Sequence, residues 1–450
     1  MIYSVRNSIA AKKDRNHNCS QKIKVISNGV YIYEDEFYKN FLPLVYLRPV
    51  CDLYCGRLSL YEKIKSLYPK ENIGLLVRPI LAEKTREKYP DLKVNDNISN
   101  ETSLFISART ILKQKIDVAG KEEVFTNKDN EIIGFRVKKN RITDRIDRIY
   151  KKGVITDKII LSWRLPKRQV NAISLKYLWD IIEINSNELI NDFPGPRNLG
   201  KINDQAFILG DTKKLYLGRD AEIEAGAVID LRQGPVYIDD NVKILALSKI
   251  VGPAYIGNNS IIDQAKITDG TTIGANCRVS GEVESSIFQG FVNKHHYGFI
   301  GHSYIGEWVN LGAGTTNSDL KNNYSSVKVQ IGNKEINTGK IKVGSFIGDH
   351  AKTAIGTMIP TGAVIGIFAN VLEVATETRR TQRKNLRDAE SSSAPRPVRK
   401  GRNIPNFYWS KGKRWQLEKV IKTARIVMSR RNVMLTKNQE ALINKIYKAK

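Results

Sequence analysis

The sequence predicts an α/β domain, then a left-handed parallel β-helix, then a short helical tail. Three observations carry that prediction. Residues from about 23 to 200 alternate short apolar, β-forming runs with amphipathic runs of helical period. From residue 201 the apolar residues instead recur six apart, a spacing that suits neither an α-helix nor a pleated strand. After residue 372 the chain turns polar and basic, and then regains helical period up to Lys450.

The elements follow in order. Residues 1–22, beginning MIYSVRNSIAAKKDRNHN, are basic and lack the apolar core of a secretory signal. They read as a disordered leader. KVISNGVYIY reads as a strand, RLSLYEKIKSLY as a helix and IGLLVRP as a buried strand. ILAEKTREKYP is helical, and LKVND and SLFISART are extended. EEVFTNKDNEIIGFRVKK predicts a hairpin that turns near Asp129 and Asn130. ISLKYLWDIIEINSNEL is an amphipathic helix, and FPGPRNLG, with two prolines and two glycines, ends the domain at about residue 200.

The next segment, 201–372, is a repeat. Apolar β-formers recur at Ile238, Ile244, Ile250, Ile256 and Ile262. The phase slips by one residue to Ile273 and Val279, and again to Ile287, then continues at Phe299, Ile305 and Leu311. It resumes at Ile347, Thr353, Ile359 and Ile365 after a break at 316–341, which reads as a loop thrown out of the prism. A period of six fits a triangular coil with one short strand per face, the apolar residue inward and glycine at the corners. About seven turns are expected, stacked roughly 4.8 Å apart. Residues 373–406 read as a flexible basic linker and 407–450 as two helices.

Charge narrows the partners. The chain carries 73 Lys and Arg against 46 Asp and Glu, a formal net charge of +27. From Ala375 onward the count is 21 against 5. Such a surface favours anionic ligands such as nucleotides, phosphorylated sugars or coenzyme A. Nucleic acid ranks low because the tail has no recognition motif. Four cysteines, Cys19, Cys51, Cys55 and Cys277, lack the paired spacing of a zinc site and read as free thiols in the cytoplasm. No stretch reaches the roughly 18 apolar residues of a membrane span.

HHYGFIG followed by GEWVNLGAGT (residues 295–315) resembles the acetyltransferase core of the GlmU family, bifunctional enzymes that acetylate glucosamine-1-phosphate and uridylylate the product. YLRPVCDLYCGRLSLYEK, SDLKNNY and LKYLWDIIEINSNEL resemble a divergent branch of sugar nucleotidyltransferases within it. The resemblance spans roughly 25–450. It implies a nucleotidyltransferase-like, Rossmann-like domain ahead of the β-helix, a homotrimer, and sugar-1-phosphate, nucleoside triphosphate with Mg2+, and acetyl-coenzyme A as ligands. His296 falls on the family's catalytic histidine and Asn310 on the asparagine beside it. An imidazole base that takes a proton from the acceptor, with an amide near the oxyanion, suits acyl transfer. Gly312, Ala313 and Gly314 would flank the pantetheine chain, and Arg379 and Arg380 would meet the coenzyme A phosphates.

The sequence also departs from that family. The usual glycine-rich phosphate loop after the first strand is absent, which leaves Arg48, Gly56, Arg57 and Lys63 as phosphate ligands. Ser107 stands where a metal aspartate is expected. Phe299 replaces a tyrosine, and GEVESSIF lacks the family's basic sugar-phosphate contacts. No metal site is expected, although a zinc triad of His296, His302 and His350, as in γ-class carbonic anhydrases, is a weaker alternative. The reading is a nucleotide-sugar transferase of the type that makes UDP-N-acetylglucosamine. The competing reading is a catalytically degenerate trimeric scaffold that uses its basic tail to hold an anionic partner.

Overall fold

In the computed structural model the described residues are 29–96, 98, 102–138, 141, 154–372, 403–409 and 413–449. The proposed leader, most of the linker and Arg379 and Arg380 lie outside them.

The first domain is built on a seven-stranded sheet. Its strands are β1 (Gly29–Tyr33), β2 (Ile73–Leu76), β3 (Lys93–Val94), β4 (Thr102–Ser107), β5 (Glu123–Thr126), β6 (Ile132–Lys138) and β7 (Lys167–Gln169), in the order β7-β5-β6-β4-β1-β2-β3. β1 is parallel to both β2 and β4, and the expected β5–β6 hairpin is antiparallel, with Asn130 in the left-handed region at its turn. Helix α1 (Leu60–Leu67) starts at a capping box, in which Ser59 accepts from the Glu62 backbone and Glu62 reaches back to Ser59. Alternation along β1 splits the core. Val30 and Ile32 pack toward α1, while Tyr31 stacks on Phe105, and Phe105 on Phe135, on the opposite face.

The second domain is the predicted coil. Its first face is a ten-stranded parallel sheet running from Arg197–Asn198 to Asn403–Ile404. The rod is therefore longer than the seven turns read from the sequence. Leu217, Ile223 and Ile229 already point inward below Ile238, and the chain returns after residue 402 to add a last rung.

The phase also differs in the middle. Phe288 and Ile300, not Ile287 and Phe299, occupy the interior. The cause is a short turn: Val236 pairs with Ala254, but Thr272 pairs with Ile287, three residues sooner. Ile287 faces outward and is buried by the first domain instead. At the next interior position stands Lys294, in register with Val279 and 2 % exposed. Its ammonium donates to the carbonyls of Ser280 and His296, and burial lowers its pKa to about 8.

One corner of the prism repeats a left-handed residue in every turn after the first. The column runs Asp220, Asn241, Asn259, Asn276, Phe291, Trp308, His350, Phe368 and Phe407, all with φ between 53° and 63°. Asn and Asp adopt that conformation readily, whereas each aromatic there costs roughly 1–2 kcal/mol. The aromatics stack in compensation, Phe291 on Trp308 at 4.0 Å and His350 on Phe368 at 4.5 Å. The helices Leu417–Ser429 and Lys437–Lys448 form one hydrophobic cluster with that end, and Tyr447 meets Phe407. No helix among the described residues is long and apolar enough to cross a membrane.

Candidate functional site

The parallel strands of the first domain aim their carboxyl ends at one edge. β1 continues to β2 on one side, while β4 lies on its other side, so the strand order reverses between β1 and β4. Ligands of open α/β sheets bind in the crevice outside such a reversal. A cavity of about 340 Å³ lies there, lined in part by Phe37, Asn40, Arg109, Asp157, Lys176 and Tyr177.

Asp35, just after β1, organises this edge. It caps the backbone of Phe37, accepts from the Ser107 hydroxyl at 2.8 Å and pairs with Arg109 at 2.7 Å. Arg109 also donates to Ser174 and to the Leu175 carbonyl, so its guanidinium is buried yet borders the cavity. Asp157 starts the short helix Asp157–Ser162, and burial, reinforced by Asp35, raises its pKa to about 6. Lys176 reaches the same rim and pairs with Glu131 at 2.7 Å. Of this set, only Ser107 stands out in the sequence. The available signal was the acidic run Glu34-Asp35-Glu36 directly after the first strand.

The four predicted phosphate ligands lie elsewhere, at the junction of the two domains. Arg48 is 2 % exposed and pairs with Asp349 at 2.9 Å and Glu307 at 3.0 Å. Burial opposes its charge, but the two carboxylates outweigh burial and raise its pKa. Lys63 is buried between Glu188 and Asp192 of the 178–192 segment. Arg57 bonds the Asp192 carbonyl and lies 4.9 Å over the Tyr237 ring. Gly56, at φ 80°, donates to Asn185 and accepts from Thr272; a Cβ there would strike Asp192 and Glu188. Each of these groups has its partners within the chain.

In the β-helix the histidine pair lies in a corner between Asn293–Lys294 and Phe299–Gly301, not in an extended strand. Both rings are exposed, with centroids 5.6 Å apart. Asn310 sits one turn on from Asn293 and accepts from its side chain at 2.8 Å. Gly314 donates to the Tyr297 carbonyl and Gly356 to that of Ala313, so the LGAGT segment stacks directly against the histidine corner. Gly312 lies against the Ala354 carbonyl, where a Cβ would be 2.5 Å away. His296, His302 and His350 occupy three different corners of the prism, each between a different pair of faces, so one chain does not bring the zinc triad together.

Residues 30–197 match the family described as sugar nucleotidyl transferase. A bifunctional sugar-1-phosphate nucleotidylyltransferase/acetyltransferase of Sulfurisphaera tokodaii is 34% identical over 201 residues, 45% of each chain. The bifunctional protein GlmU of Ruthia magnifica is 29% identical over 184 residues, 36% of this chain and 37% of that one. The matched region thus spans less than half the length of these curated relatives. A UDP-N-acetylglucosamine acyltransferase structure from Campylobacter jejuni aligns with 56% of this chain and 97% of its own, at 14% identity and a TM-score of 0.22. The chain therefore carries a sugar nucleotidyl transferase-family domain at residues 30–197 and is related in sequence to the bifunctional GlmU-type nucleotidylyltransferase/acetyltransferases.

Proposed function

We propose that this chain is a transferase of nucleotide-sugar metabolism, with a sugar-1-phosphate nucleotidyltransferase site in the first domain and an acyltransferase site on the β-helix. The observation that carries the reading is the cavity at the β1–β4 reversal, within the matched family region, with Arg109 and Lys176 on its wall. Fixed cations beside a crevice at strand ends suit phosphate oxygens. Arg109, held by Asp35 and Leu175, is the preorganised contact, and Lys176, paired with Glu131, is the exposed one. Arg48, Gly56, Arg57 and Lys63 then belong to the domain junction.

The carboxylates at and beside the cavity do not fit a dedicated pair of Mg2+ ligands. Asp35 is committed to Phe37, Ser107 and Arg109, and Glu131 to Lys176, which leaves Asp157. No step is assigned to a protein-held metal here, and Mg2+ would arrive on the nucleoside triphosphate. On the β-helix, His296 is the base and acetyl-coenzyme A the acyl donor. The proposed site is shared between prisms of a homotrimer, a reading supported by the apolar, exposed corner that carries Tyr297 and Ile355 (72% and 78%).

The test is a panel of sugar-1-phosphates against the four nucleoside triphosphates, read as pyrophosphate, with free thiol read when acetyl-coenzyme A is added. Pyrophosphate from at least one pair is expected. If neither product forms, the chain is a binding scaffold, the reading favoured by Ser107 at the position expected of a metal aspartate. Light scattering should give a trimer; a monomer would exclude the shared site.

A further inference from the structure

We infer that Glu284, His302 and Asp319 form a binding site for a divalent cation of the zinc type. Each residue offers one donor atom, and the three donors lie within 4.8 Å of one another. They come from successive turns of the prism. Glu284 ends the strand Arg278–Glu284, His302 follows Phe299–Gly301, and Asp319 follows Thr316–Asn317. All three are half-buried, so an ion can reach them from solvent.

The backbone is fixed around them. The His302 amide donates to the Glu284 carbonyl at 3.1 Å, and its carbonyl accepts from Gly344 at 2.9 Å. The Asp319 carbonyl accepts from Val343 at 2.8 Å. His302 itself is held at φ 47°, a conformation that costs a histidine free energy, so the surrounding bonds over-determine its place. Its Nδ1 lies 2.8 Å from Asp319 Oδ2. Lys342 Nζ lies 3.1 Å from Glu284 Oε1. Two carboxylates and an imidazole thus face the Lys342 ammonium, on a flexible stem that can swing away. Imidazole with carboxylates suits Zn2+, Co2+ or Mn2+ better than Mg2+ or Ca2+. The position adds a consequence. Asp319 and Lys342 are the two ends of the loop thrown out of the prism, whereas Glu284 and His302 belong to the prism wall. A bound ion would tie the neck of that loop to the wall. This site is separate from the proposed transferase sites and contradicts the expectation of no metal.

The test uses the full chain with His295 and His296 both changed to Ala, to remove the exposed histidine pair as a competing ligand. After chelator treatment it is titrated with Zn2+ by calorimetry and with Co2+ by visible absorption. One ion per chain is expected. Affinity should fall roughly tenfold or more in Asp319→Asn and in His302→Gln. It should rise in Lys342→Met, because the competing ammonium is gone. Added Zn2+ should also protect residues 320–341 from protease. Absence of stoichiometric binding in both the parent and Lys342→Met overturns the inference. Binding undiminished in both Asp319→Asn and His302→Gln overturns it equally.

Discussion

Arg48 Nη1 lies 2.9 Å from Asp349 Oδ1, a contact between residues 301 positions apart that bolts the first domain to the β-helix. Glu307 closes the other side of the guanidinium at 3.0 Å. Removing one partner of a buried pair leaves an uncompensated charge and costs about 3–5 kcal/mol. Arg48→Met should lose stability on that scale in urea unfolding, and Arg48→Met with Asp349→Leu should recover part of it. A loss below about 1 kcal/mol, the range of a surface pair, would mean the junction does not depend on this contact.

Nucleotide binding should separate from the junction. Lys176→Ala should weaken binding of a nucleoside triphosphate by roughly ten- to a hundredfold, the worth of one charge-assisted phosphate contact, with little change in stability. Lys63→Ala should instead lower the unfolding midpoint, because Glu188 and Asp192 lose their shared cation. Titration with a fluorescent nucleotide beside thermal melts reads both. The reverse pattern would move the phosphate site to the junction.

Asp157 predicts a pH effect with a definite sign. Its folded pKa, about 6, stands above the ordinary 3.8, so the native chain holds this proton more tightly than the unfolded one. The resulting stability is fully present below the unfolded value and is lost as pH rises through 6. Asp157→Asn should therefore match the parent near pH 4 and exceed it near pH 8. The gain should be on the order of 1 kcal/mol, since solvent screens a half-buried group. Equal stabilities of parent and variant at the higher pH would show that the carboxyl titrates normally.

At the histidine corner, His296→Ala should reduce acyl transfer by roughly 10²–10⁴-fold, the contribution of a positioned base. His295→Ala should do little. Both rings are exposed, so neither change should alter the melting temperature by much. If His296→Ala transfers acetyl groups as fast as the parent, the base lies elsewhere.

The outline of the fold was legible because its periods are long and regular. The six-residue spacing from Ile238 to Ile262 determines an inward face whatever surrounds it, and the strands and helices of the first domain announced themselves by ordinary patterning. The pattern misleads where a turn changes length. The three residues missing before Ile287 shifted the interior to Phe288 and Ile300, since a one-residue slip in a strand reverses which side chains face in. The aromatic corner column was also illegible. Phe291, Trp308 and Phe368 resemble core residues in sequence, and only stacked turns reveal that they stand at left-handed corners.

The sequence by itself determined the two-domain plan, the β-helix and the hairpin, because local periodicity and turn chemistry suffice for them. It also marked the histidine corner, because HHYG and VNLGAGT are contiguous motifs. Tertiary structure decided which charged residues are spent on holding the chain together. Arg48 and Lys63 look like free phosphate ligands until Asp349, Glu307, Glu188 and Asp192, all distant in sequence, are folded against them. It likewise assembled Asp35, Ser107, Arg109 and Asp157 at one sheet edge, and Glu284, His302 and Asp319 on successive turns. In each case the partners belong to separate strands or turns, and their proximity is a property of strand order and coil stacking rather than of any local segment.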